Sequence, residues 1–255
     1  MRLIVTRPAA QAQAWLQDLQ AAGHDALSLP LIDIHPVADP APLQAAWQRW
    51  DSWQAVMFVS AQAVQMFFAQ RPATSHASNA TVCWATGPGT RQALLRAGVP
   101  QTCVISPPED AAQFDSEALW QVVKNSVQGH APVLIVRGGD ALDGAAQGAG
   151  RDWLAQQLQD QGVPVAWLVA YQRAVPNWTL AQQQLARTAA HDGSLWLLTS
   201  SQAVKHLSVL MPQQDWSQAL ALATHERVAL VAHQLGFGQC EVIRPSLSDL
   251  LAHLA

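Results

Sequence analysis

The sequence predicts an α/β protein built on parallel sheets, and three observations carry that prediction. Short apolar runs alternate with longer amphipathic stretches along the chain, the order expected of strand-helix-strand units. The short runs are apolar at nearly every position, which means burial on both faces, as in a sheet covered by helices. Two phrases are also written twice. "QAVMFVSAQAV" (54–64) returns as "SLWLLTSSQAV" (194–204). "LIVTRP" (3–8), followed by "WLQDLQAAG" (15–23), returns as "LIVRGG" (134–139), followed by "WLAQQLQDQG" (153–162). The chain therefore reads as two similar halves.

In chain order, strands are predicted over 2–6, 55–60, 82–86, 103–106, 133–137, 163–174, 195–200, 228–232 and 241–244, all rich in β-branched or apolar residues. Ala12, Trp15, Leu16 and Leu19 repeat at helical spacing until Gly23 stops them. Val64, Phe67 and Phe68 do so after Ser60, and Val204, Leu207 and Met211 after Ser200. Further helices are predicted over 90–97, ended by Gly98, and over 116–126. The stretch 29–42 holds four prolines and reads as an extended connection, and 169–178, with Pro176 near its exit, reads as a second. The glycine-rich 138–150 reads as a loop.

Composition narrows the function classes. Half of the 255 residues are hydrophobic, 13% are charged and the net charge is −4. No basic run attracts nucleic acid or an anionic membrane, so neither is an expected partner. The N-terminus lacks a signal-peptide core, and no apolar stretch reaches spanning length. Cys83, Cys103 and Cys240 are scattered, which fits reduced thiols in a cytoplasmic protein.

In open α/β sheets ligands bind beyond the carboxyl ends of the strands. The turns there are Thr6-Arg7-Pro8, Ser60-Ala61, Thr86-Gly87-Pro88-Gly89-Thr90, Arg137-Gly138-Gly139 and Thr199-Ser200-Ser201. Each precedes a predicted helix, whose first N–H groups suit an anion. Plain N-capping by Ser and Thr explains the same residues one at a time. "GPGTRQA" is a partial dinucleotide fingerprint with Gln92 where the third glycine belongs. No G-x-S-x-G, H-E-x-x-H or P-loop is present. His225 and His233 are lone histidines near such turns. Tyr171 is the sole tyrosine and lies in the second connection, where packing and function are both open.

Together "VTRP", "FVSAQAV", "ATGPGTRQAL" followed by "AGV", "DSEAL", "VLIVRGG", "GVPVAWLVAYQRAVP" and "LLTSSQAV" resemble the uroporphyrinogen-III synthase family, in order over nearly the whole chain. The looser match is the C-terminal "ATHERVALVAHQLGFG", which carries Thr224. The resemblance implies two flavodoxin-like domains joined by a two-stranded linker. One would be discontinuous, 1–36 plus 175–255, and the other, 37–172, inserted into it. It implies an enzyme of the lyase class acting on hydroxymethylbilane, a linear tetrapyrrole bearing acetate and propionate groups. Loss of the terminal hydroxyl as water and inversion of the last pyrrole ring give uroporphyrinogen III. No cofactor and no metal are expected. Substrate carboxylates would be held at Ser60, Thr86, Gly87, Gly138, Ser200, Ser201 and Thr224, with Arg7 and Arg137 as charge partners. Tyr171 is the candidate proton donor to the departing hydroxyl, and the enzyme supplying hydroxymethylbilane is the candidate protein partner. The alternative is a two-domain, hinge-closing protein that binds a small anion without chemistry.

Overall fold

A computed structural model describes residues 1–73, 81–111, 113–127, 129–140, 153–244 and 246–254. The chain begins with β1 (Arg2–Val5), α1 (Ala9–Ala21), β2 (Asp25–Ser28) and β3 (Asp33–Pro36). There follow α2 (Ala41–Gln48), β4 (Ala55–Phe58), α3 (Ala61–Phe68), β5 (Val82–Ala85), α4 (Pro88–Arg96) and β6 (Val104–Ile105). Next come α5 (Ser116–Val123), β7 (Val133–Asp140), α6 (Trp153–Asp160) and β8 (Val165–Ala174). The last stretch holds α7 (Leu180–Ala189), β9 (Leu195–Leu198), α8 (Ser201–Leu210), β10 (Leu220–Ala223), α9 (Glu226–Leu235), β11 (Gln239–Val242) and α10 (Leu247–Leu254).

These elements form two compact units. The first comprises Met1–Ile34 and Ala174–Ala255, the second His35–Arg173. The chain thus passes between them twice, within β3 and within β8.

The first unit holds a sheet in the order β11-β10-β9-β1-β2, with parallel pairings throughout. Numbered along the chain within the unit, that is the flavodoxin-like order 2-1-3-4-5. Its central strands β1, β9 and β10 are buried on both faces. Leu3, Val5, Leu195, Leu197 and Leu222 pack with Leu19 of α1 and Leu250 of α10. Ile4, Trp196, Leu198 and Ala221 pack on the other side with Ala186 of α7, Leu207 of α8 and Ala232 of α9.

The second unit holds the sheet β3-β8-β7-β4-β5-β6, parallel from β8 to β6. Its strands β4 to β8 run in the order 3-2-1-4-5, with β3 added at the edge. One face carries Met57, Trp84, Val133 and Ile135 against Leu119 of α5 and Leu158 of α6. An aromatic cluster is also buried here: Trp47 stacks on Trp50 at 4.7 Å and on Phe67 at 4.8 Å.

In a doubly wound sheet the chain leaves its first strand toward one edge and later returns toward the other. That switch lies between β1 and β9 in the first unit and between β4 and β7 in the second. In sheets of this kind the crevice that takes a ligand lies at the carboxyl ends of the strands, at the switch point.

Several sequence expectations are corrected. Residues 228–232 are not a strand but the middle of α9. Val228, Ala229 and Ala232 are buried while Leu230 is 57% exposed, so the spacing there is helical. Gly236, at φ +100°, ends the helix in the left-handed conformation. The strand of this region is β10, "LALA", held between β9 and β11. The predicted extended stretch 29–42 ends in α2, which Pro42 enters in its first turn, where its missing N–H costs nothing. The predicted loop 138–150 begins as strand: Gly138, Gly139 and Asp140 belong to β7 because β8 runs on to pair with them. The rest of that prediction, 141–150, lies outside the described residues.

Candidate functional site

In the second unit the switch point gathers Ser60, Gly138 and Tyr171. Ser60 follows β4 and caps α3. Its backbone is extended, and its Oγ accepts the N–H of Ala63 at 3.1 Å. The N–H groups of Ala61 and Gln62 head the helix, where a helix supplies no acceptor of its own. Tyr171, 6% exposed on β8, brings its hydroxyl to 3.3 Å from Ser60 Oγ.

Gly138 makes room for that phenol. A Cβ there would lie 2.5 Å from Tyr171 Cζ and 2.8 Å from its Oη. A bulge aligns the pair: Arg137 faces Val169, whereas Gly138 faces Tyr171, so Ala170 is the extra residue.

Arg137 goes elsewhere. It is 4% exposed, and its guanidinium sits 3.8 Å from the centroid of Trp167. Trp167 is opposite Ile135 and packs with it on the α5–α6 side of the sheet. Successive strand residues point to opposite faces, so the structure does not bring Arg137 to the Ser60–Tyr171 pair. Just beyond, Asp140 and Arg173 form an ion pair at 3.1 Å across β7 and β8.

Thr86 and Gly87 follow β5. Thr86 Oγ1 donates to the carbonyl of Val59 at 3.3 Å, tying this turn to the one at Ser60. Gly87 caps α4 with extended backbone and no side-chain bond. Its small size answers to Phe114, whose Cβ would stand 3.0 Å from an added methyl. Pro88 has no N–H to offer, so the donors heading α4 start at Gly89 and Thr90.

The first unit repeats the plan with different side chains. Ser200 follows β9, caps α8 and accepts the N–H of Ala203 at 3.4 Å. Ser201 Oγ donates to the carbonyl of Arg227 at 3.2 Å, joining the starts of α8 and α9. Thr224 continues β10 past its end through its N–H to the Leu198 carbonyl at 3.0 Å. His225, singled out in the sequence as a lone histidine, caps α9: its Nδ1 accepts the Arg227 N–H at 3.1 Å. Arg7 lies at the end of β1 with its guanidinium 4.6 Å from the Trp15 ring. Burial lowers its pKa from the usual arginine value.

One contributor was named in the sequence only as part of the turn Thr6-Arg7-Pro8, with no role of its own. Thr6, 1% exposed, donates its hydroxyl to the Leu197 carbonyl and so cross-links β1 and β9 at the switch point. Its signal was a polar, β-branched residue closing an otherwise apolar strand. Among the described residues, no cluster of three or more His, Cys, Asp or Glu is placed to hold a metal ion.

The arrangement suits anion recognition. At each switch point an extended serine opens a helix, and the paired N–H donors and helix dipole favour a carboxylate. The second unit alone adds a buried phenol beside the serine.

A family model described as "Uroporphyrinogen-III synthase HemD" matches residues 13–252. A curated uroporphyrinogen-III synthase from Synechococcus elongatus is 26% identical over 222 residues, covering 86% of this chain and 79% of that protein. The solved uroporphyrinogen-III synthetase from Helicobacter pylori superposes with a TM-score of 0.61 at 17% identity, covering 100% of this chain and 98% of that one. A mutant Thermus thermophilus uroporphyrinogen III synthase gives 0.60 at 15% identity, covering 100% and 97%. At these identities the two structures speak for the fold.

Proposed function

The chain belongs to the uroporphyrinogen-III synthase family, and we propose that its switch-point turns carry out the family's reaction. That reaction is the cyclisation of hydroxymethylbilane, a lyase step in tetrapyrrole biosynthesis. The two units act as a discontinuous domain and a domain inserted into it. Substrate carboxylates are taken up by the amides heading α3, α4, α8 and α9, with Ser60, Thr86, Gly87, Ser200, Ser201 and Thr224 shaping those turns, while Gly138 makes room for Tyr171. Arg7 supplies positive charge in the first unit; Arg137, buried against Trp167, does not reach the Ser60–Tyr171 pair in the second.

One observation carries this reading. The doubled serine phrase falls, in both units, at the strand that adjoins the switch point of the sheet. Helix capping alone accounts for a serine at any helix start. It does not account for both repeats occupying the one place where doubly wound sheets leave room for a ligand.

The reaction asks mainly for geometry. A flexible chain has to be held so that the substituted carbon of the last ring, rather than the unsubstituted one, reaches the reactive end. Such positioning contributes up to about 7–11 kcal/mol in favourable intramolecular cases. Tyr171 is the proton donor to the departing hydroxyl, a role worth about 10²–10⁴-fold. The Ser60 oxygen caps α3 and lies 3.3 Å from the phenol hydroxyl, either of the two able to donate. No helix among the described residues is long and apolar enough to cross a membrane. We assign the reaction to the cytoplasm, where reduced thiols such as Cys83, Cys103 and Cys240 persist. The enzyme that supplies hydroxymethylbilane is its proposed partner.

The test is incubation with hydroxymethylbilane, oxidation of the products and chromatography of the isomers. Tyr171→Phe keeps the ring against Gly138 and deletes only the hydroxyl. Turnover is expected to fall about 10²–10⁴-fold, with isomer I rising as unassisted closure takes over. Unchanged turnover at an unchanged isomer ratio removes Tyr171 from the mechanism. Ser60→Ala and Ser200→Ala should raise KM more than they lower kcat. Silence at both makes these serines caps and nothing else.

A further inference from the structure

His206 is a buried histidine that the reaction above does not use. It lies on α8, the helix headed by Ser200 and Ser201, and is 6% exposed. Its Nδ1 stands 2.7 Å from the carbonyl oxygen of Leu31. A carbonyl only accepts, so Nδ1 carries the proton and donates it.

Leu31 belongs to the segment leading out of the first unit, which ends at Ile34. The segment is held on three more sides. Leu29 N–H donates to the Val5 carbonyl at 2.9 Å and Leu31 N–H to the Thr6 carbonyl at 3.1 Å, so β1 keeps pairing after β2 has ended. The Pro30 carbonyl accepts the indole N–H of Trp178 at 2.9 Å. Trp178 is on the returning chain, shortly after its re-entry at Ala174. Leu29 and Leu31 are fully buried, and Trp178 is 5% exposed.

Leu31 therefore has both backbone groups committed, one to the turn that carries Arg7 and the other to the helix that carries Ser200. A histidine serving only as core filling needs any one acceptor. This one binds the backbone of the outgoing chain, and Trp178 binds the outgoing chain from the incoming one.

We propose that His206 is a positioning residue: it locks the root of the connection between the units to the helix whose N-terminus grips substrate. Without its donor the Leu31 carbonyl is left buried and unpaired, and the outgoing segment gains freedom at its root. The outgoing chain is then tied to the first unit by one bond fewer than before. The catalytic consequence rests on the proposed carboxylate role of Ser200. The mechanical claim does not.

The experiment uses the full chain with one spin label per unit, at Leu180→Cys on α7 and Val122→Cys on α5, both exposed positions, in a Cys240→Ser background. The distance distribution is read by pulsed electron resonance, beside kcat, KM and the isomer ratio on unlabelled protein. His206→Leu is expected to fold, to broaden the distribution and to lower kcat/KM about tenfold, as small misplacements in an intramolecular reaction do. His206→Gln, whose amide also donates, should restore both. Trp178→Phe removes only the N–H to Pro30 and should broaden the distribution too; it carries the test if His206→Leu does not fold. A folded variant with an unchanged distribution overturns the proposal, and a lowered unfolding midpoint with every other readout intact does the same. Broadening together with a silent Ser200→Ala supports the mechanical lock and discards the carboxylate reading alone. Effects at Ser60, Ser200 and Tyr171 with none at His206 overturn the lock and leave that reading standing.

Discussion

Replacing Gly138 by alanine adds one methyl group at the tightest point of the second unit's site. Gly138 does not sit in the left-handed region, so alanine meets no backbone penalty and the whole effect is steric. The new Cβ would lie 2.5 Å from Tyr171 Cζ and 2.6 Å from Cε2. To regain ordinary contact the ring has to retreat by about 1 Å, and it is held in a packed interior, so a cost of about 1–3 kcal/mol is expected. The Oη–Ser60 Oγ separation is already 3.3 Å, at the long end for two hydroxyls, and the same retreat breaks it. A misplacement of about 1 Å costs about 10²-fold in rate. Urea unfolding followed by tryptophan fluorescence reads the first effect, and turnover of hydroxymethylbilane the second. Tyr171→Ala provides the control. With the ring gone the methyl meets nothing it met before, so Gly138→Ala should cost less than about 0.5 kcal/mol in that background. Equal costs in both backgrounds, or a silent Gly138→Ala, would refute the claim that this glycine exists to seat the phenol.

Two further substitutions and one chemical probe follow from the same structure. Gly236→Ala forces a side chain onto a φ of +100° at the end of α9 and should destabilise by about 1 kcal/mol. Gly238→Ala should cost more, because its Cβ would collide with the backbone carbonyl of Ser217, which has no rotamer to escape into; the order of the two unfolding midpoints checks this. Burial, helped by the nearby Cys103, pushes the Cys83 thiol up to about 12, and burial beside Glu241 pushes Cys240 to about 11. At pH 8 both should resist a thiol reagent until urea is added, which mass spectrometry of the labelled protein would reveal. The same shifts have a stability consequence. A thiol harder to ionise when folded favours the folded state below the ordinary thiol pKa, and that advantage is lost as pH rises from about 9 toward 11–12. Unfolding midpoints should therefore fall across this range, and Cys83→Ala should flatten the decline.

The parts of the fold legible in the sequence were those set by local chemistry. The strands β1, β4 and β9 and the first half of β7 are apolar at almost every position because both of their faces are covered, and they could be read directly. Ser60 and Ser200 announced helix starts by residue type and by recurring in the same phrase. What failed was the choice between periods in short apolar runs. "VALVA" has strand composition, yet α9 buries its residues at helical spacing, with His225 and Gly236 marking its ends. "LALA" has no β-branched residue and is a strand only because β9 and β11 pair with it on both sides. Local propensity cannot report neighbours that arrive from elsewhere in the chain.

The candidate site divides along the same line. Arg137 and Gly138 were read as one turn, since glycine follows arginine and more glycine follows that. In fact β7 continues through them, and a strand sends adjacent residues to opposite faces, so one ends against Trp167 and the other under Tyr171. The Ser60–Tyr171 pair joins residues 111 positions apart and depends on a single bulge residue, Ala170, to bring the phenol into register with Gly138. Without the bulge the strand alternation would turn Tyr171 to the other face. The chemistry proposed for this site therefore hangs on a backbone irregularity, which no reading of residue types contains.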